Sequence, residues 1–148
     1  MRKLFIVTTL SLTVLGLRAQ EVQKLAAAGK KGVASFYHSK FVGRKTATGE
    51  IFSNGKYTAA SNTLKLGFYV RVTNVENGKV VYVRINDRMA ATNKRLIDLA
   101  TIAADKLDFK AEGLAKVKIE RVQPGEGRTG ILAQNVIGTA TQAAKNQL

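Results

Sequence analysis

Residues 80–88 read Val-Val-Tyr-Val-Arg-Ile-Asn-Asp-Arg, and this stretch predicts a β-strand that ends in a carboxylate. Val81, Val83 and Ile85 lie two residues apart, which places them on one face of a strand. Asp87 continues this alternation, so the pattern predicts that it lies at the strand end on the side of the core. Partial exclusion of water there favours the uncharged acid. A carboxyl group that keeps its proton near neutral pH can protonate a leaving group, as cleavage of a glycosidic bond requires.

A second strand precedes this one in the chain. Residues 68–74, Phe-Tyr-Val-Arg-Val-Thr-Asn, alternate in the same way, and Glu76-Asn77-Gly78 predicts a turn because Asn and Gly tolerate positive φ. The two segments therefore predict a β-hairpin. Apolar runs of strand length predict further strands at residues 32–37, 57–61, 96–99 and 116–120.

One short helix is predicted over residues 100–107, where apolar side chains recur at helical spacing. Residues 41–54 are rich in Gly, Thr, Lys and Ser, have no clean period, and predict a surface loop. These elements together predict a mainly β protein. We expect a small, closed, six-stranded barrel with one or two short helices rather than alternating β and α units.

The first residues have the pattern of a secretory signal peptide. A basic start, Met1-Arg2-Lys3, precedes an apolar run over residues 4–17, and Ala19 provides a small residue at a cleavage point. The run is short for a membrane span, and an uncleaved anchor is the alternative interpretation. We expect export to the periplasm or the cell exterior, and the division of the chain is a signal peptide at 1–19, a linker at 20–31, one domain at 32–122 and a tail at 123–148. Residues 128–148 are polar with weak amphipathic character, and a marginal helix is the alternative to a tail there.

The formal net charge of the 148-residue chain is +14, and it indicates anionic partners. Residues 1–19 carry three cations and no acid, so removal of the signal peptide leaves +11. Nucleic acid and a bacterial wall are both anionic. An exported protein rarely meets nucleic acid, and the sequence has neither a recognition helix nor an interleaved aromatic platform. We therefore expect no nucleic acid as a partner, and the charge fits a bacterial wall equally well.

Cysteine is absent from the chain, and histidine occurs once, at His38. The absence of cysteine excludes disulfides, thiol catalysis, cysteine-ligated metal and lipid attachment at an N-terminal cysteine. One histidine without cysteine does not form an ordinary metal site. We expect no metal, no cofactor and no stable membrane anchor, while the oligomeric state stays open.

Several segments occur in an order that resembles a known family. They are Gly32–Tyr37, Phe41–Glu50, Thr58-Ala59-Ala60, Thr63-Leu64, Val70–Asn74, Ile85-Asn86-Asp87-Arg88 and Arg95–Leu99. In this order they resemble the RlpA family of rare lipoprotein A-like proteins over about residues 32–122. The resemblance implies a double-psi β-barrel, and its enzymes are lytic transglycosylases that act on peptidoglycan.

The resemblance implies three acidic positions in one cleft, which are Glu50, Asp87 and Asp98. Asp87 would be the general acid, and the other two would adjust its protonation and support the charged transition state. The family histidine falls on Ser61, and Met89-Ala90-Ala91 replaces the usual Gly-Pro-Phe. These departures imply weak activity, and they favour the alternative of a non-catalytic glycan-binding module like the expansin relatives of this barrel.

Each candidate residue also has a structural interpretation. Asp98 directly precedes the predicted helix and suits an N-cap, while Glu50 follows Gly49 in a loop and suits a solvated acid. Arginines can hold substrate carboxylates or simply cover the surface, and aromatic rings can stack on sugars or pack in the core. The residues predicted to bind substrate are Tyr37, Arg44, Ser61, Arg88 and Arg95.

Overall fold

The computed structural model describes residues 29–147. Six strands form a closed barrel in the order β1-β5-β2-β4-β3-β6, with parallel pairing of β1 with β5 and of β2 with β4. The strands are β1 (Lys30–Phe36), β2 (Thr58–Ala60), β3 (Tyr69–Asn74), β4 (Val80–Asp87), β5 (Ile97–Leu99) and β6 (Ala115–Val122). The predicted fold class is therefore confirmed.

Two helices accompany the barrel, α1 (Thr101–Leu107) and α2 (Pro124–Lys145). A single 3-10 turn covers Ser39–Phe41. The prediction of α1 is confirmed. The predicted signal peptide and most of the predicted linker lie outside the described residues, but Lys30 and Lys31 already belong to β1. Within residues 29–147, no helix is both long enough and apolar enough to cross a bilayer.

The barrel interior holds the apolar face that the alternation predicts. Val81, Val83 and Ile85 are completely buried, and so are Val70 and Val72 on the neighbouring strand. Strands β3 and β4 pair in antiparallel register through the predicted turn, where Gly78 has a φ of +73°. The hairpin prediction is therefore confirmed, because local period and turn chemistry decide it.

A β-bulge at the end of β4 changes the face on which Asp87 lies. Ala59 pairs with Ile85, but the next residue, Ala60, pairs with Asp87, so Asn86 is an extra residue in β4. One extra residue shifts the alternation of every side chain after it. Asp87 therefore lies on the outer face rather than on the core side with Ile85, and the prediction from alternation alone was wrong.

A second, smaller apolar cluster covers the outer face of the barrel beside this bulge. It consists of Tyr37, Phe52, Ala60 and Ala100, with Met89 and two other partly buried side chains packed against it. The rings of Tyr37 and Phe52 lie 4.2 Å apart between centroids. Phe52 belongs to the segment that predicts a surface loop, so part of that segment is buried structure.

Helix α2 packs against the outside of strands β3 and β4, so of the two interpretations of the C-terminal residues the structure has the helix and not the tail. Gly127 and Gly130 approach the side chains of Tyr69 and Tyr82 closely enough that an added Cβ would lie 2.3 and 2.5 Å from them. The buried side chain of Gln134 accepts a hydrogen bond from the Tyr82 amide and donates one to the Tyr82 carbonyl, at 2.6 and 3.0 Å. The helix is thus an integral layer of the domain.

Candidate active site

Two of the three predicted acids lie in one row across four neighbouring strands. Ser35 pairs with Asp98, Asp98 pairs with Ala60, and Ala60 pairs with Asp87. Paired residues on adjacent strands point to the same face of a sheet. The two aspartates are therefore two strands apart, with about 10 Å between their Cα atoms. Ala60 lies between them in the row and is itself buried by the outer apolar cluster.

Hydrogen bonds from three donors hold the Asp87 carboxyl group in position. The backbone amides of Ala47 and Arg88 donate to Oδ1, each at 2.8 Å, and the Tyr37 hydroxyl donates to Oδ2 at 2.7 Å. The Ala47 amide belongs to the loop before Glu50, and the Arg88 amide follows the end of β4. The carboxyl group therefore lies between these two segments. Its orientation is set before any ligand binds.

Tyr37 positions Asp87, and its ring is buried. Only 8% of Tyr37 is exposed, because its ring packs against Phe41 and Phe52. Burial, followed by the hydrogen bond to Asp87 and the charges of Asp87 and Asp98, raises the pKa of Tyr37 well above its usual range. The hydroxyl therefore stays neutral, and substrate binding by Tyr37 stays a prediction.

Asp98 has the desolvated environment that the sequence predicts for Asp87. Burial raises the pKa of Asp98, and the hydrogen bond from Ser35 and the charge of Arg95 oppose this rise. The Ser35 hydroxyl donates to Asp98 Oδ1 at 2.5 Å. Asp98 does not cap α1, whose N-cap is Ala100 without a side-chain bond. The Asn54 side chain accepts from the first amide of that helix instead.

Glu50 is anchored as an anion beside the bulge. Arg84 donates to its Oε2 at 2.5 Å, and Thr48 donates to its Oε1 at 3.0 Å. The hydrogen bond from Arg84 is the main cause that lowers the pKa of Glu50 to about 2. The Thr48 amide donates to the Asn86 carbonyl at 3.1 Å, which fastens the Glu50 loop to the end of β4. Glu50 is therefore no freely solvated acid.

The Glu50–Arg84 pair predicts a defined pH dependence of stability. The pKa of Glu50 is lower in the folded chain, about 2, than its ordinary value of 4.5, so the ionised pair stabilises the fold above pH 4.5. This contribution is lost as the pH falls from 4.5 toward 2. We expect the difference in melting temperature between the wild type and Glu50→Gln to shrink over that range. An unchanged difference in thermal melts at several pH values would contradict the prediction.

Comparison with known proteins identifies the family. Residues 29–119 match the sequence profile of a family described as "Lytic transglycolase". The chain belongs to the RlpA family. An endolytic peptidoglycan transglycosylase RlpA of Pasteurella multocida is 42% identical over 130 residues, and one of Neisseria meningitidis is 45% identical over 116 residues. The aligned residues are 88% and 78% of this chain, but only 44% and 48% of those proteins. This chain thus spans less than half the length of these relatives.

Solved structures with the same barrel support the fold. Cerato-platanin 3 of M. perniciosa superposes with a TM-score of 0.53 at 16% identity, over 67% of this chain and 99% of that protein. A Streptomyces papain inhibitor superposes with a TM-score of 0.51 at 22% identity, over 65% and 97% of the two chains. At these identities the likeness concerns the fold alone.

Ser61, at the position of the RlpA-family histidine, cannot contact a ligand. It is completely buried, its hydroxyl donates to the Leu96 carbonyl at 2.8 Å, and it accepts from the amides of Thr63 and Leu64. Its predicted role in substrate binding was therefore wrong. Where the resemblance implies a histidine, this chain has a serine whose hydroxyl holds a loop.

The three predicted arginines differ in what they contact. Arg88 donates through Nη1 to the carbonyls of Ser61 and Leu64, so it holds the same loop; the residue is exposed, and its substrate binding stays a prediction. Arg44 is exposed and lies 5.4 Å from the centroid of the Phe41 ring. Arg95 is exposed and close enough to Asp98 to influence its pKa. Substrate binding by Arg44 and Arg95 stays a prediction.

Sequence reasoning did not single out two site residues, Ser35 and Arg84. Arg84 lies on the outer face of β4, where the alternation alone already places it, but its pairing with Glu50 depends on the fold of a distant loop. Ser35 meets Asp98 only through the register of β1 and β5. In residues 29–147, no three acidic or histidine side chains lie close enough together to hold a metal ion.

Proposed function

We propose that this chain is a peptidoglycan lytic transglycosylase, which cleaves the MurNAc–GlcNAc β-1,4 bond and forms 1,6-anhydromuramoyl ends. The observation that carries this proposal is the row of Asp98, Ala60 and Asp87 on the outer face, with the anionic Glu50 beside it. The names of the relatives, endolytic peptidoglycan transglycosylases, support the choice of substrate and reaction.

In the proposed mechanism, Asp87 acts first as acid and then as base. Protonated Asp87 donates its proton to the glycosidic oxygen, and the bond from that oxygen to the muramoyl C1 breaks. The C6 hydroxyl oxygen of the same sugar attacks C1 and returns its proton to the Asp87 carboxylate. The new C1–O6 bond closes the anhydro ring, so no water is consumed and the enzyme regains its proton.

The position of Asp87 favours it over Asp98 as the acid-base residue. The hydroxyl of Tyr37 can both donate and accept a hydrogen bond, so Asp87 Oδ2 can take up a proton and keep its contact with Tyr37. Asp98 lies within a strand, and burial holds it toward its neutral form.

Glu50 would stabilise the positive charge that develops on the sugar. Its hydrogen bonds from Arg84 and Thr48 keep it ionised, and an oxocarbenium-like transition state is stabilised by a nearby fixed anion. We also propose that residues 1–19 direct export and that the positive charge of the chain favours contact with the anionic wall.

Incubation with purified sacculi tests this function. The described domain with its helix, expressed without residues 1–19, is expected to release muropeptides whose ends are anhydromuramoyl groups. Mass spectrometry of the soluble products distinguishes these from reducing ends by the mass of one water. Reducing ends only, at a rate above a protein-free control, would indicate hydrolysis and contradict the proposed reaction.

A non-catalytic glycan-binding module is the second candidate. The burial of Ser61 favours it, because no titratable side chain replaces the family histidine. Sedimentation with sacculi separates the two candidates. The enzyme is expected to release anhydro-ended fragments, whereas the module is expected to bind the sacculi and release none.

A further inference from the structure

A groove of about 420 Å³ lies between helix α2 and the barrel, outside the row of acids. Tyr69 and the helix residues Ile131 and Leu132 form much of its apolar wall. Arg84 also lines the groove, and its guanidinium group forms an ion pair with Glu50, which lies outside the groove. The groove exists only because α2 packs on the barrel.

The groove and the candidate active site are neighbours along strand β4. Thr58 and Arg84 form one cross-strand pair on the outer face of β2 and β4, and both line the groove. Ala60 and Asp87 form the next pair on the same face, about 7 Å farther along the strands. The Glu50–Arg84 ion pair stands at the boundary, so a polymer that crosses Asp87 in this direction continues into the groove.

The charge of the groove selects an anionic ligand. Lys56, Arg84 and Arg128 line it, and no acidic side chain among the described residues does. Neither Lys56 nor Arg128 forms an ion pair within residues 29–147, whereas Arg84 is paired with Glu50. Arg128 lies over the Tyr69 ring, with 5.9 Å from its guanidinium carbon to the ring centroid. An apolar wall with two unpaired cations suits a sugar that carries a carboxylate.

We propose that this groove is a subsite for the carboxylate of a wall glycan, with Arg128 and Lys56 as its ligands. The inference rests on the proposed function only for the choice of a wall glycan. Two carboxylates have the required chemistry, the lactyl group of a bare muramoyl residue and the terminal carboxylate of a stem peptide. In either case the groove aligns the strand so that the adjacent glycosidic bond lies over Asp87.

Binding to the Asp87→Asn chain tests this subsite without turnover. The probes are a soluble muramoyl tetrasaccharide with free lactyl carboxylates, the same compound with its stem peptides, and both compounds with their carboxylates amidated. Affinity is measured by isothermal titration calorimetry. We expect Arg128→Gln to weaken binding of at least one carboxylate probe by about tenfold and Lys56→Gln to weaken it less, because a charge-assisted hydrogen bond is lost. Binding of the amidated probes should not change.

The matched control is Lys116→Gln, which removes one exposed cation from β6, outside the groove. It should change every affinity by less than about twofold, since screened charges at a distance contribute little. If Arg128→Gln weakens binding of the probe without stem peptides, the groove binds the lactyl carboxylate. If it weakens binding only of the probe with stem peptides, the groove binds the stem-peptide carboxylate. Equal affinity for free and amidated probes, or equal loss in Arg128→Gln and Lys116→Gln, would overturn the proposal. Failure of the wild type to form anhydro ends is a separate result, because this assay measures binding alone.

Discussion

Replacing Asp87 with asparagine is expected to lower the release of anhydro-ended fragments from sacculi by roughly 10²–10⁴-fold, the usual contribution of a general acid-base group. The amide oxygen can still accept from the backbone amides of Ala47 and Arg88, and the amide nitrogen can donate to the Tyr37 hydroxyl. The variant should therefore fold, which thermal melting checks. The fragments are quantified by liquid chromatography and mass spectrometry.

Asp108→Asn is the matched control for this experiment. Asp108 is exposed at the end of α1 in the left-handed conformation, with a φ of +57°, which asparagine tolerates. Its ion pair with Lys79 is exposed and contributes little to stability. We expect wild-type product yield from this control.

Asp98→Asn tests which of the two aspartates in the row is the proton donor. If the desolvated carboxyl group were the proton donor, Asp98→Asn would remove the products and Asp87→Asn would leave them near the wild-type level. That pattern would overturn the assignment of Asp87 while leaving the location of the site intact.

The second large effect concerns the contact between α2 and the barrel. We expect Gly127→Ala to lower the free energy of unfolding by about 1–3 kcal/mol, as overpacking does in well-packed contacts. An added Cβ would lie 2.3 Å from the Tyr69 Cβ, an atom next to the backbone that cannot rotate away. Urea unfolding followed by circular dichroism measures the change.

Gly138→Ala in the same helix is the control with the opposite expected sign. No atom lies within 4 Å of the Cβ position at Gly138, so alanine should raise the free energy of unfolding by up to about 1 kcal/mol through its better helix propensity. If both substitutions stabilise the chain equally, α2 does not pack on Tyr69 as described. The groove of the proposed subsite would then lose one of its walls.

Much of the barrel could be predicted from local patterns. The alternation of Val81, Val83 and Ile85, and the Asn-Gly turn before them, specify a hairpin without knowledge of any distant residue. Helix α1 follows from helical spacing over about two turns. Helix α2 could be predicted only as an alternative to a tail, because its sequence is weakly amphipathic and its packing depends on glycines that fit against Tyr69 and Tyr82 in other elements.

The candidate site, too, could be predicted only in part from the sequence. The chain sequence, through its alternation and its resemblance to the RlpA family, already identifies the three acids Glu50, Asp87 and Asp98. Only the packed barrel shows that a bulge turns Asp87 outward, that burial acts on Asp98, and that Arg84 keeps Glu50 ionised. Residue identity and local period are properties of neighbours along the chain. The face, burial and charge state of a carboxyl group instead depend on strands and loops that meet only when the chain is folded.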